Sequence, residues 1–205
     1  MISRRSVSLA AMAILTTAPS AHAQTADDMS IGLESAPLQL LEFASTTCPH
    51  CAHFHQTNWP TLKAGYIDRG LLRLTLKEML TPPPGVALGM FQVARCGGVD
   101  GAEYFRRLGV LFERQRAILA TGTMVGVRDS LIAIGGEWNL SPEQVMAALN
   151  DPTSVDRIRR SIADADARGV TGTPTFFMNG ARVADPAFHT PDGLVRVLDA
   201  QLGAR

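Results

Sequence analysis

Cys48 and Cys51, the outer pair of Cys48-Pro49-His50-Cys51, are the residues of this sequence best suited to chemistry. They stand less than one helical turn apart, so their sulfurs can close and reopen a disulfide, a reversible two-electron switch. The surrounding pattern says how they are placed. An apolar run over 38–44 reads as a buried strand, Ser45-Thr46-Thr47 as a polar connection, and a helical pattern begins at the cysteines. Unpaired N–H groups and the helix dipole at such an N-terminus favour a negative charge, so Cys48 is the expected nucleophile. His50, between the two cysteines, would stabilise the Cys48 thiolate as imidazolium.

Other candidates surround the pair. Glu42 interrupts the apolar run and has two readings: a strand-end carboxylate facing water, or a buried acid beneath the disulfide with a raised pKa, able to take a proton from Cys51. His55 lies two turns beyond Cys48 and one beyond Cys51, on their face, whereas His53 points away. Taken singly, each of these histidines reads as a surface or half-buried side chain. Cys48, Cys51 and His55 together could hold copper(I) or zinc, but no fourth ligand is apparent and Pro49 suits a redox turn, so neither a metal nor any other cofactor is expected.

The chain that must position these residues has 205 of them, 46% hydrophobic, enough for one well-buried domain. With 19 basic and 19 acidic residues it carries no basic stripe, which argues against nucleic acid as a partner. Three cysteines are too few for a disulfide scaffold or for paired zinc knuckles. Residues 1–23 read as a cleaved signal peptide: Arg4 and Arg5, an apolar stretch over 7–18, and Ala21-His22-Ala23 before Gln24. The apolar stretch is short for a membrane anchor, and the Sec route is the default for export. The mature protein is expected in the periplasm, where disulfides persist. Loss of Arg4 and Arg5 leaves 17 basic against 19 acidic residues, a net charge of about −2.

Beyond the cysteines, a short extended piece is expected near 29–33 and a second strand over 71–79. Pro60 marks a kink or an end in the first helix, with 62–67 continuing it, and Pro82-Pro83-Pro84 a stiff extended connector. From about 85 to 168 the pattern is helical, with candidate helices at 86–96, 102–120, 124–138, 142–149 and 153–168. Ser141 reads as an N-cap with Pro142 at the first helical position. Arg106, Arg107, Arg114 and Arg116 read as solvated helix faces, and Cys96 as a buried free thiol on an apolar face. Gly169-Val170-Thr171-Gly172-Thr173-Pro174 then leads into a short strand at 175–178. Asn179-Gly180 signals a hairpin to a partner strand near 181–184, and Thr190 caps a last amphipathic helix.

Taken in order, Cys-Pro-His-Cys at a helix start, the helical insertion and G-V-T-G-T-P-T-F-F-M-N-G resemble the DsbA family of thiol:disulfide oxidoreductases over essentially the whole mature chain. The resemblance implies an α/β thioredoxin-like fold, a central mixed β-sheet with an inserted α-helical domain at about 85–168. It implies an exposed, attacked Cys48, a buried resolving Cys51, and Pro49 and His50 tuning the pair. It makes Glu42 the family's buried acid and Lys77 the candidate for its lysine partner. Pro174 matches the cis-proline loop facing the disulfide, where the Thr173 backbone would hydrogen-bond an extended substrate. His55 stands where many members have an acid, and Thr173 is a residue type seen in disulfide isomerases and in some DsbA-like oxidases. The implied partners are unfolded or reduced secreted proteins and a reoxidising membrane protein of the DsbB type, with the chain itself a monomer. The alternatives are a periplasmic disulfide reductase or isomerase and, from another class, a metal-binding thiol carrier.

Overall fold

The apolar run that precedes the cysteines becomes the middle of a sheet. In a computed structural model of the chain, which describes residues 27–203, β2 (Leu38–Ala44) pairs in parallel with β3 (Leu72–Glu78) and antiparallel with β4 (Thr175–Met178). β1 (Met29–Ile31) and β5 (Ala181–Arg182) close the edges, giving the order β1-β3-β2-β4-β5. A parallel pair needs a crossover, and α1 (Pro49–Leu62) supplies it between β2 and β3. The expected signal peptide at 1–23 lies outside the described residues.

Both faces of this sheet are covered, which is why its central strands are apolar nearly throughout. Side chains alternate along a strand, so Leu38, Leu40 and Ala44 join the main core with Leu72, Leu74 and Leu76, while Phe43 joins a smaller cluster with Ala165, Val170 and Phe177. The β2–β3 register sets Glu42 opposite Leu76 and Phe43 opposite Lys77. Glu42 and Lys77 therefore point to opposite faces of the sheet.

Between β3 and β4 run α2 (Pro84–Arg95), α3 (Gly101–Ala120), α4 (Met124–Glu137), α5 (Pro142–Leu149) and α6 (Thr153–Ala167). Their starts are written locally. Asp100 and Thr123 cap α3 and α4, and Ser141 with Gln144 forms a complete capping box at α5, each cap contributing about 1 kcal/mol. α3 lies along α1, its Phe105 stacked on Trp59 with centroids 5.5 Å apart. α6 covers the opposite face through Ala165. The last helix, α7 (Pro191–Gly203), is capped by Thr190, whose Oγ1 accepts from the Gly193 N–H. Asn179 and Gly180 turn the β4–β5 hairpin with φ of 50° and 86°, the mirror-image turn that suits strand twist.

Several expectations are corrected. Of the two readings of Pro60 the helix end fails, because α1 runs on to Leu62, and the expected continuation is there as a π-turn over Lys63–Ile67. Pro82-Pro83-Pro84 is not simply an extended connector, because Pro82–Pro83 is cis and Pro84 is the first residue of α2. Cys96 is the C-cap of α2 and only half-buried, its thiol directed at the Gln144 carbonyl. Arg107 is not solvated. It is 5% exposed, lies 5.0 Å over the Trp138 ring, and bonds Glu103 and the Cys96 carbonyl. Among the described residues, no helix is long and apolar enough to cross a membrane.

Candidate active site

The polar connection between β2 and α1 is buried and tied down by its own hydroxyls. Ser45 Oγ accepts from the Thr81 N–H at 3.1 Å, Thr47 Oγ1 donates to the Thr81 carbonyl at 2.8 Å, and Thr46 Oγ1 donates to the Ala87 carbonyl at 3.1 Å. From α3, Gln115 Nε2 donates to the carbonyls of Thr46 and Cys48 at 2.8 and 2.9 Å. The helical block is thus fastened to the backbone that presents the first cysteine. The run Ser45-Thr46-Thr47 carried a hint of this network; Gln115 carried none, being one amide among many helical polar residues.

Cys48 is the N-cap of α1, with Pro49 in the first helical position. The resemblance implies an exposed sulfur, whereas Cys48 is 6% exposed and Cys51 fully covered. The Cys48 Sγ lies 3.2 Å from the Thr173 carbonyl oxygen, and the Thr173–Pro174 bond is cis. The Thr173 hydroxyl is buried with no partner of its own among the described residues, so it can turn to donate to a thiolate. Pro49 and His50 are exposed.

These surroundings split the two thiols. The Cys51 thiol bonding to the Cys48 sulfur pulls Cys48 from 9.0 down to about 5, against desolvation, with help from Thr173 and from the backbone at Cys51 and His50. Burial pushes Cys51 well above the ordinary thiol range, reinforced by Cys48 and by the charge of Glu42. In the reduced protein one sulfur is a thiolate and the other a thiol at neutral pH.

Glu42 is fully buried. Lys77 is not its partner: Lys77 Nζ lies 2.8 Å from Asp28 and 3.4 Å from Asp164, on the other side of the sheet. Instead His55 Nε2 stands 3.1 and 3.0 Å from the two Glu42 carboxylate oxygens. His55 is only 6% exposed and stacks on Phe112. With its Nε2 turned to Glu42, the set Cys48, Cys51 and His55 does not converge, and among the described residues no group of three His, Cys, Asp or Glu side chains is arranged to hold a metal.

His50, His53, Phe54, Thr173, Pro174 and His189 line a shallow groove of about 290 Å³ beside the cysteines. His53 thus faces this groove. His189, which no sequence signal marked, sits on the turn before α7 (Pro186–His189); burial lowers its pKa, while Glu42 opposes the shift.

A family model described as thioredoxin matches residues 24–200. A protein of Rickettsia typhi named as a protein-disulfide oxidoreductase is 29% identical over 177 residues, 86% of this chain and 62% of the relative. The chain spans about three fifths of the length of the curated Rickettsia relatives it matches. Among solved structures, Wolbachia pipientis alpha-DsbA1 superposes with a TM-score of 0.76 at 22% identity, covering 88% of this chain and 94% of the other. Oxidised BdbD of Bacillus subtilis does so with a TM-score of 0.73 at 18% identity, covering 86% and 94%. At these identities the solved structures establish a shared fold.

Proposed function

This chain belongs to the thioredoxin family, with the fold of its DsbA-like members, and from that premise we propose that it is a periplasmic thiol:disulfide oxidoreductase that donates the Cys48–Cys51 disulfide to reduced secreted proteins. The observation that carries the reading is the split between the two sulfurs, Cys48 held near 5 and Cys51 raised. A stabilised Cys48 thiolate is a good leaving group and makes the reduced enzyme the favoured state, which is what makes such a pair an oxidant.

In the proposed reaction a substrate thiolate attacks Cys48 Sγ of the oxidised form. The Cys48–Cys51 bond breaks, its electron pair passes to Cys51 Sγ, and that sulfur takes up a proton passed on by Glu42, which ends as the carboxylate it began as. A second substrate thiolate then attacks the substrate sulfur of the mixed disulfide and releases Cys48 as a thiolate. The substrate leaves oxidised and the enzyme reduced. Pro49 opens the helix and aims the sulfur, the backbone at His50 helps hold the thiolate, and the Thr173–Pro174 loop receives an extended substrate strand along its backbone. A membrane protein of the DsbB type would take the electrons, and the enzyme works as a monomer.

The test is the equilibrium redox potential of the pair in glutathione buffers. Reference values are about −120 mV for DsbA and about −270 mV for thioredoxin. A potential near the first supports dithiol oxidation; one near the second overturns it and makes the chain a reductase.

A further inference from the structure

A fully buried carboxylate is costly unless a partner neutralises it. For Glu42 that partner is an imidazole. His55 comes from α1, one turn beyond Cys51, and its Nε2 reaches both carboxylate oxygens at 3.1 and 3.0 Å. The ring is clamped between neighbours: Phe112 of α3 stacks on it with centroids 4.5 Å apart and planes 25° apart, and Trp59 lies 5.9 Å away. It cannot swing off Glu42 without opening the contact between α1 and α3.

The titratable groups that face this pair come from two elements. Cys51 lies on α1, and Glu42 acts on its charge. His189, on the turn before α7, feels both Glu42 and the His50 imidazole. From α3 the described contacts to His55 are the Phe112 ring, which carries no charge. The lysine of β3 is spent on Asp28 and Asp164 across the sheet. The partner of the buried acid is thus an imidazole, a side chain that can both give and take a proton, rather than an ammonium.

Resting on the thiol-exchange reading above, we propose that His55 is a positioning residue for that reaction, holding the proton that Glu42 hands to the Cys51 sulfur. In the oxidised protein His55 is an imidazolium donating to the Glu42 carboxylate. When an incoming thiolate attacks Cys48, the disulfide breaks and its electron pair goes to Cys51 Sγ. One proton then moves from His55 Nε2 to Glu42 and from Glu42 to Cys51. Cys51 ends as a thiol, Glu42 as a carboxylate and His55 as a neutral ring. The second substrate thiol, on losing its proton to solvent, restores the one the pair gave up. Running backwards, the same path receives the Cys51 proton when Cys51 attacks a mixed disulfide.

The experiment follows reduction of the oxidised protein by dithiothreitol, through its tryptophan fluorescence, across pH in the wild type, His55→Gln, Glu42→Gln and the double variant. Glutamine keeps an N–H donor toward Glu42 and cannot carry the proton. His55→Gln should slow reduction roughly a hundredfold at neutral pH, a typical worth of general acid–base groups, and flatten the pH profile. On the Glu42→Gln background it should add nothing, because the two act as one unit. A His55→Gln profile that tracks the wild type, or losses that multiply in the double variant, would overturn the role of His55 while leaving thiol exchange intact. A wild-type disulfide that dithiothreitol cannot reduce would overturn both readings. A second measurement is independent of any folding defect: reduction of the wild-type protein in deuterium oxide, at matched dithiothreitol thiolate, should be slower than in water because a proton moves in the step, and an unchanged rate would sink the proposal.

Discussion

The Cys48 sulfur lies 3.2 Å from the carbonyl oxygen of Thr173, a residue 125 positions away in the chain. The loop before β4 therefore forms one wall of the site that the start of α1 creates. The same residue brings to that wall a buried hydroxyl that has no partner among the described residues, so its side chain and its backbone serve different ends.

The hydroxyl can be tested directly. In the reduced protein the ultraviolet absorbance of the thiolate should titrate with a midpoint near 5. Thr173→Val keeps the shape and removes the donor, and it should move the midpoint upward. An unmoved midpoint would mean that the Cys51 thiol and the backbone alone hold the charge.

Proton bookkeeping gives a second test. Between about pH 5 and the ordinary thiol range the reduced form keeps one proton, on Cys51. The redox potential should then fall by about 30 mV per pH unit, and by about 59 mV per unit below pH 5, where two protons accompany two electrons. Stability of the reduced protein is linked to the same two sulfurs. The folded-state value of Cys48 is depressed, so its contribution to the reduced protein is complete above the unfolded value of 9.0 and is lost as pH falls through about 5. The raised value of Cys51 acts only above the ordinary thiol range. Denaturant melts of the reduced protein across this window should show stability rising with pH; a flat profile would contradict the split.

Gln115 ties the cysteine loop to α3 with two short bonds. Gln115→Ala leaves the buried Thr46 carbonyl without that donor, whereas the Cys48 carbonyl still receives the Ala52 N–H. The expected loss is about 1–3 kcal/mol, read by urea unfolding, together with faster proteolysis of the loop between β2 and α1.

Two neighbouring arginines on α3 should behave differently. Arg107 is buried against Trp138 and serves Glu103 and the Cys96 carbonyl, so Arg107→Ala should cost roughly 2–4 kcal/mol. Arg106 pairs with the same glutamate from an exposed position, and its replacement by alanine should cost about 0.5 kcal/mol or less. Equal losses in thermal melts would refute the assignment.

The features legible before folding are local in their physics. The strand at 38–44, the cysteines at a helix start, the five helices between β3 and β4, the Ser141 cap and the Asn179-Gly180 hairpin each depend on periodicity, capping or turn chemistry within a few residues, and the structure places them where the pattern did. The partners of the buried groups depend instead on register and on packing between distant elements. A parallel pairing that sets Phe43, not Glu42, opposite Lys77 sends the lysine to Asp28 and Asp164 on the far face. It leaves the buried acid to His55, whose sequence position showed the face it shares with the cysteines but not the carboxylate waiting there. Arg107 and Cys96 changed reading for the same reason: a helical pattern shows which residues share a stripe, and only the neighbouring element decides whether that stripe meets water or protein.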